Sequence, residues 1–281
     1  MLDNRAAPLP AMAAVPDPFA AYLRRLGLAE PPPPGLAGLA DLMARHMQTV
    51  PFENLDVMAG MARPLSTDTV LEKVIAQGRG GFCYELNEAF RALLEHLGFA
   101  VHRIEARVWQ AAAPMFGAPF DHLALIVSLP EGEFLVDVGY GDSNRAPLRL
   151  PRDETVDISG EYALAPQRDG FLCLSSASKP LYEMTLTPQP LEAFAPMCRY
   201  HQTSPESIFS TGLICTRATP TGRITLSRDR LTIIDGGVRT ETLTTDTSAV
   251  LGDYFGITLG KVTVQKMAAN GIMGRGEAET C

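Results

Sequence analysis

The organisation of this chain is set by one segment, Arg79-Gly80-Gly81-Phe82-Cys83-Tyr84-Glu85-Leu86-Asn87-Glu88-Ala89-Phe90-Arg91-Ala92-Leu93-Leu94-Glu95-His96-Leu97-Gly98. Apolar residues at positions 86, 90, 93, 94 and 97 recur at helical spacing, which predicts a helix that begins at or just after Cys83. Gly98 is placed to end this helix. Cys83 is therefore predicted to lie at a helix N-terminus, directly after a pair of glycines.

This position favours a chemical role for Cys83. A helix N-terminus carries partial positive charge and unpaired N–H donors, which favour a thiolate over a thiol. Paired glycines let the backbone approach a substrate closely and leave amide N–H groups free to stabilise an oxyanion. A phosphate-binding loop is excluded, because Phe82-Cys83 stands where that motif needs lysine and serine or threonine. Cys83 is accordingly predicted to be the nucleophile of an acyl-transfer reaction.

The other four cysteines receive no chemical role. Five cysteines are an odd and widely scattered set, unlike a disulfide framework, so reduced thiols are expected. Cys173, Cys198 and Cys215 are interpreted as small buried residues, and Cys281 as a terminal thiol. The sequence has no Cys-x-x-Cys pair and no His-x-x-x-His spacing, so no metal site is expected.

A base and its orienting group are predicted further along the chain. His122 opens an alternating strand after a loop, which is a suitable place for the base. Asp137 lies in the apolar run Leu135-Val136-Asp137-Val138-Gly139, where an unpaired charge would be costly, so it is predicted to orient His122. Asp121 is predicted to face solvent, because adjacent strand residues point to opposite faces. A hairpin folded about residues 130–133 places His122 and Asp137 at unequal distances from the turn, so a bulge or another strand order is expected.

The pattern along the chain predicts the α+β class. Helical spacing dominates from Phe19 to about Gly98, and alternating spacing follows it. Strands are predicted at 101–109, 122–129, 134–138, 181–186, 213–217, 223–227, 231–234 and 238–243. A last helix is expected after Asp246. This order of elements, with helices first, strands next and a mixed end, differs from the regular alternation of strands and helices in a doubly wound parallel sheet.

Charge and hydropathy exclude two classes of partner. The chain has 24 basic and 32 acidic residues, a net charge of -8, and a pI near 5.2, which argues against binding to nucleic acid. Apolar runs such as Leu123 to Val127 are far shorter than the ~18 residues of a membrane-spanning helix. The N-terminal residues lack the pattern of a secretory signal, so a cytoplasmic location is expected.

The motifs around Cys83, His122 and Asp137 resemble those of the arylamine N-acetyltransferase family. Cys83 and His122 are separated by 122 minus 83, or 39 positions, and His122 and Asp137 by 137 minus 122, or 15. The segments that carry the resemblance are Arg79-Gly80-Gly81-Phe82-Cys83 with Glu85 and Asn87, Val136-Asp137-Val138-Gly139-Tyr140-Gly141, Pro51-Phe52-Glu53-Asn54-Leu55 and residues 253–259. It covers nearly everything from Tyr22 onward, and the residues before Tyr22 look like an extension.

The resemblance implies a fold in three parts. These are a helical N-terminal domain (1–98) that carries the nucleophile, an antiparallel β-barrel (99–200) that carries His122 and Asp137, and a C-terminal α/β lid (201–281). It also implies acetyl-CoA as donor, with no permanently bound cofactor, and arylamines, arylhydrazines or N-hydroxyarylamines as acceptors in a ping-pong reaction.

Further site residues follow from the same resemblance. Phe52, Phe209 and Tyr140, which stands where the family usually has phenylalanine, are predicted to line the acceptor pocket. Arg79 and Glu53 fall in the matching motifs and are predicted to form a buried pair that braces the nucleophile loop.

Three alternatives remain open. A papain-like or transglutaminase-like hydrolase uses the same three residue types. An amide synthase of the same family would close a macrocycle from a larger acyl donor. A binding protein with a decayed site is disfavoured, because nucleophile, base and orienting group are all present.

Overall fold

The computed structural model of the chain describes residues 17–272. Cys281 and the first sixteen residues of the predicted extension lie outside them. The helices are α1 (Pro18–Arg25), α2 (Leu36–Thr49), α3 (Leu55–Met58), α4 (Thr67–Leu71), α5 (Cys83–His96), α6 (Ala195–Thr203), α7 (Thr247–Phe255) and α8 (Lys261–Ala269). A π-helical turn, Glu72–Ala76, continues α4.

Helix α5 is the central element of the helical part. It begins at Cys83, as its sequence pattern predicts, and every residue from Cys83 to Leu94 is buried. The Glu85 carboxylate accepts a hydrogen bond from the Phe82 N–H at 3.1 Å and so closes the first turn. The apolar face of α5 packs into a core that also contains Leu39 of α2 and Leu125 of the neighbouring sheet. Cys83, the predicted nucleophile, therefore sits at the junction of helices and sheet.

The larger sheet is antiparallel, nearly closed and barrel-like. Its strands are β2 (Ala100–Gln110), β3 (Met115–Phe116), β4 (His122–Leu129), β5 (Gly132–Val136), β6 (Leu148–Arg149), β7 (Asp153–Asp157), β8 (Gly160–Pro166), β9 (Leu172–Ser176) and β10 (Lys179–Gln189). Their order is β6-β5-β4-β2-β10-β9-β8-β7, with β3 paired to β2. One face of β4 packs against α5 while the other lines the barrel interior.

The smaller sheet joins one early strand of the chain to four late ones. Its strands are β1 (Phe52–Glu53), β11 (Ile214–Thr219), β12 (Gly222–Ser227), β13 (Arg230–Asp235) and β14 (Val238–Leu243), in that order. Phe52 pairs with Thr216, so residues of the predicted first domain share a sheet with the last one. The α+β class is confirmed, and the boundaries of the three domains stay a prediction.

Several elements were not predicted from the sequence. The periodicity of the sequence did not indicate strands β6 to β9 or helices α6 and α8. Strand β7 shows why, because its sequence Asp153-Glu154-Thr155-Val156-Asp157 is acidic and none of its residues is fully buried. Within residues 17–272, none of the helices is both long enough and apolar enough to cross a membrane.

Candidate active site

The glycines before Cys83 serve close backbone packing. A Cβ atom on Gly80 would lie 1.8 Å from the Pro51 carbonyl oxygen, and one on Gly81 would lie 2.6 Å from Glu85 Oε2. The Gly81 N–H donates to the Pro51 carbonyl at 3.3 Å, and the Gly81 carbonyl accepts the Glu53 N–H at 2.8 Å. The amides of residues 81 and 82 are thus occupied. The Gly81 amide is therefore not free for an oxyanion, contrary to the expectation for that residue, because it donates to the Pro51 carbonyl.

A buried ionic network lies beneath this loop. Arg79 donates to Glu53 Oε1 from Nε at 3.0 Å and from Nη2 at 2.8 Å, so the two residues predicted to pair are in contact. Lys73 Nζ lies 2.8 Å from Glu85 Oε1 and 3.2 Å from Asp56 Oδ2. Burial alone would lower the pKa of Lys73, but the carboxylates of Glu53, Glu85 and Asp56 outweigh it and raise that pKa. The network keeps Lys73 and Arg79 charged in the protein interior.

Cys83 sits in a strongly desolvated position. Its exposed fraction is 3%, and burial raises the pKa of its thiol, with the nearby Cys198 and Asp121 acting in the same direction. A backbone hydrogen bond from Leu123 opposes this rise. Burial thus acts against the effect expected from the partial positive charge of the helix terminus. A thiolate at Cys83 therefore needs a neighbouring cation.

His122 and Asp137 are joined directly. The distance between His122 Nε2 and Asp137 Oδ2 is 2.7 Å. Leu125 of β4 pairs with Val136 of β5, and this register sets Asp137, one residue beyond β5, diagonally across from His122 on the same face. The expected bulge or altered strand order is wrong, because the turn lies at residues 130–131 and a diagonal contact bridges the remaining offset.

Asp137 is held as a carboxylate. Burial by itself would raise its pKa, but His122 and the hydrogen bonds from His122, Asn87 and the Gly139 amide outweigh burial and lower that pKa. The charge faces the imidazole and can stabilise a protonated ring. The ring of His122 also packs against Tyr182 at 5.1 Å and Tyr140 at 5.8 Å between centroids.

Asn87 connects the helix that begins at Cys83 to Asp137 and to the residue that follows His122. Its Nδ2 donates to the Leu123 carbonyl at 2.6 Å and to Asp137 Oδ1 at 2.9 Å, while its Oδ1 accepts the Val138 N–H at 3.0 Å. Asn87 is fully buried. Sequence analysis assigned it no role, although its spacing of four residues from Cys83 on one helix placed both side chains on a common face.

Cys83 and His122 line one cavity of about 710 Å³. Phe52, Tyr140 and Phe209, the three residues predicted for the acceptor pocket, line the same cavity. The rings of Phe52 and Phe209 are 6.0 Å apart. The structure thus brings five of the predicted site residues to a single concave surface with aromatic walls.

Asp121 and His201 line this cavity too. His201 Nε2 lies 2.9 Å from Asp121 Oδ1, and the Asp121 side chain is only 16% exposed. The assignment of Asp121 to solvent is therefore wrong, because α6 carries His201 over the start of β4. Strand alternation correctly predicted that Asp121 does not orient the ring of His122, which contacts Asp137 instead. It gave no indication that Asp121 contacts His201.

Comparison with known proteins agrees with this geometry. A sequence model of the N-acetyltransferase family matches residues 35–264. The arylamine N-acetyltransferase of Mycolicibacterium smegmatis is 33% identical over 261 residues, which are 88% of this chain and 94% of that protein. Human arylamine N-acetyltransferase 1 is 28% identical over 227 residues, covering 72% of this chain and 78% of that protein.

Solved structures are similar as well. The arylamine N-acetyltransferase of Salmonella typhimurium has a TM-score of 0.81 at 26% identity and covers 90% of this chain and 98% of its own. An arylamine N-acetyltransferase from Bacillus cereus has a TM-score of 0.80 at 26% identity and covers 87% and 100%. The Bacillus cereus enzyme is described with a Cys-His-Glu catalytic triad, whereas the carboxylate beside His122 here is Asp137.

Proposed function

Because this chain belongs to the arylamine N-acetyltransferase family and transfers acetyl groups to arylamines, we propose that Cys83, His122 and Asp137 carry the reaction. One observation carries this proposal. The 2.7 Å contact between His122 Nε2 and Asp137 Oδ2 orients the imidazole in the cavity that also contains Cys83. Acetyl-CoA is the proposed donor, and arylamines, arylhydrazines and N-hydroxyarylamines are the proposed acceptors.

In the first half-reaction, Cys83 Sγ attacks the carbonyl carbon of the acetyl-CoA thioester. Its proton passes to His122 Nδ1, since Nε2 is engaged by Asp137. Burial raises the pKa of the thiol, which fits a mechanism in which sulfur attack and proton transfer to His122 are coupled. The tetrahedral adduct then expels CoA, whose thiolate takes the proton back from His122, and acetyl-Cys83 remains.

In the second half-reaction, the acceptor nitrogen attacks acetyl-Cys83 and loses a proton to His122 Nδ1. Collapse of the adduct breaks the carbon–sulfur bond, releases the N-acetyl product and returns the proton to Cys83. Asp137 stabilises the imidazolium in both half-reactions. CoA leaves before the acceptor reacts, so the kinetics are ping-pong.

The surrounding contacts support this assignment. Glu53 and Arg79 are proposed to act through the loop, because their ion pair fixes Gly80 and Gly81 against β1. Phe52, Tyr140 and Phe209 are proposed to contact the aromatic ring of the acceptor.

The experiment follows the acetyl group by mass spectrometry. Incubation with acetyl-CoA and no acceptor should add one acetyl group to Cys83, and an arylamine should remove it. Cys83→Ala should abolish both the adduct and turnover, whereas Cys173→Ala, which removes a cysteine outside the cavity, should keep both. Acetylation of an arylamine by Cys83→Ala would refute the mechanism. Rapid hydrolysis of peptide amides by the wild-type protein would favour a thiol hydrolase.

A further inference from the structure

A second cavity, of about 800 Å³, lies beside the one that contains Cys83. Val108, Asp121, His201 and Ile208 line both cavities, so the two cavities meet at these four residues. Most other residues around the second cavity come from the end of β2 and the loop after it, and from α6 and the loop after it. The acetyl-transfer steps described above do not use this cavity.

Asp121 is held in place where the two cavities meet. His201 Nε2 lies 2.9 Å from Asp121 Oδ1, and His201 Nδ1 lies 3.0 Å from Ser207 Oγ. Ser207 Oγ also accepts the Phe209 N–H at 3.2 Å. His201 therefore fixes the orientation of the Asp121 carboxyl group.

The composition of the second cavity suits a cation. Its wall contains the carboxylates of Asp121 and Glu206 and the aromatic rings of Trp109 and Tyr200. None of the described residues around it is lysine or arginine. Aromatic faces together with carboxylates attract quaternary and protonated amines, both by cation–π contacts and by Coulomb attraction.

The first cavity differs in charge. Its lining includes Arg228 and Arg230, flanking Asp229. Phosphate groups such as those of CoA are attracted to arginines, which the first cavity contains and the described lining of the second cavity lacks.

We infer that the second cavity is a subsite for a positively charged group on the acceptor, which would lie near the carboxyl groups of Asp121, where the two cavities meet, and of Glu206. The preferred acceptors are then arylamines that carry an ammonium substituent on the ring side away from the reacting nitrogen. This inference rests on the proposed function of Cys83, because it concerns the second half-reaction only.

Binding to the subsite can be measured without catalysis. Trp109 is the single tryptophan of the chain and lines the second cavity, so its fluorescence reports on this cavity. Benzyltrimethylammonium should change the fluorescence of the wild-type protein in a saturable way. Asp121→Asn keeps an oxygen that accepts from His201 but removes the charge, and it should weaken binding about tenfold.

Turnover provides the second test. The two acceptors are (4-aminobenzyl)trimethylammonium and its uncharged carbon isostere, 4-neopentylaniline. The wild-type enzyme should favour the charged acceptor in kcat/KM by about tenfold. Asp121→Asn and Glu206→Gln should each lower this ratio several-fold. Glu131→Gln makes the same charge change in the exposed turn between β4 and β5, away from both cavities, and should leave the ratio unchanged.

The outcomes separate the two proposals. Formation of acetyl-Cys83 with equal kcat/KM for both acceptors would overturn the subsite and keep the proposed function. A preference that Asp121→Asn and Glu206→Gln leave intact would also overturn the subsite. Failure of the wild-type protein to form acetyl-Cys83 or to acetylate either amine would instead refute the proposed function.

Discussion

Replacement of Asn87 by alanine should impair both stability and acetylation of Cys83. The change removes two hydrogen bonds donated by Nδ2, to the Leu123 carbonyl and Asp137 Oδ1, and one accepted from the Val138 N–H. All three lie in the protein interior, since Asn87 has an exposed fraction of 0%. The Leu123 carbonyl and the Val138 amide would therefore lose a partner that water cannot readily replace.

The size of the effect follows from these three contacts. A buried group left without its partner costs roughly 1–3 kcal/mol, and a hydrogen bond to a charged group is worth roughly 1.5–3 kcal/mol. Because the contacts share one side chain, the total should be about 4 kcal/mol rather than the full sum. For a chain of this size, that lowers Tm by about 10 °C. Displacement of Asp137 and His122 from Cys83 should slow acetylation by about a hundredfold, since an error of about 1 Å in position has that effect.

Asn54 offers a matched control for this variant. It is also buried and makes three hydrogen bonds of the same kind, donating to the carbonyls of Phe209 and Gly212 and accepting the Ile214 N–H. Asn54→Ala should lower Tm by a similar amount. None of its contacts reaches Asp137 or His122, so the rate at which acetyl-CoA acetylates Cys83 should stay within about threefold of wild type.

The assay is rapid-quench mass spectrometry of acetyl-Cys83, at a temperature where both variants are folded by circular dichroism. Acetylation rates that fall equally in Asn87→Ala and Asn54→Ala would show that lost stability alone explains the effect. A rate close to wild type in Asn87→Ala would refute the view that Asn87 positions Asp137.

Three further changes test other parts of the site. Lys73→Met leaves buried carboxylates without their cation and should reduce the free energy of unfolding in urea by about 3–5 kcal/mol, and adding Glu85→Gln should restore part of it. Gly139→Ala would put a Cβ 2.6 Å from Asn87 Nδ2 and should slow acetylation more than about tenfold, whereas Gly252→Ala, with nothing within 4 Å, should not. Folding lowers the pKa of Asp137 below its unfolded value of about 4. The ionised carboxylate therefore stabilises the fold above about pH 4, and this stabilisation is lost as the pH falls through the lowered pKa. Asp137→Asn should flatten the acid limb of a plot of Tm against pH. A Tm curve of unchanged shape would contradict this assignment.

Much of the fold was predictable from local pattern. The helix that begins at Cys83, the strand that begins at His122 and the run of strands from Ile214 to Leu243 all follow from periodicity and turn residues. Such signals succeed because a helix or half-buried strand is encoded by residues only a few positions apart. Cys83, His122 and Asp137 could be predicted as site residues for the same reason, since each stands in a local sequence context that favours its role.

Contacts between distant segments required the tertiary structure. The diagonal contact of His122 with Asp137 depends on the register of β4 and β5, and a shift of one residue would have separated them. The raised pKa of Cys83 depends on how much of the chain covers it, which no local pattern shows. His201 and Asp121 lie 80 residues apart and meet only because the fold brings the end of α6 to the start of β4. Sequence pattern thus established which chemical groups are present, whereas packing of the helices on the sheet established their distances, their desolvation and which carboxylate each imidazole contacts.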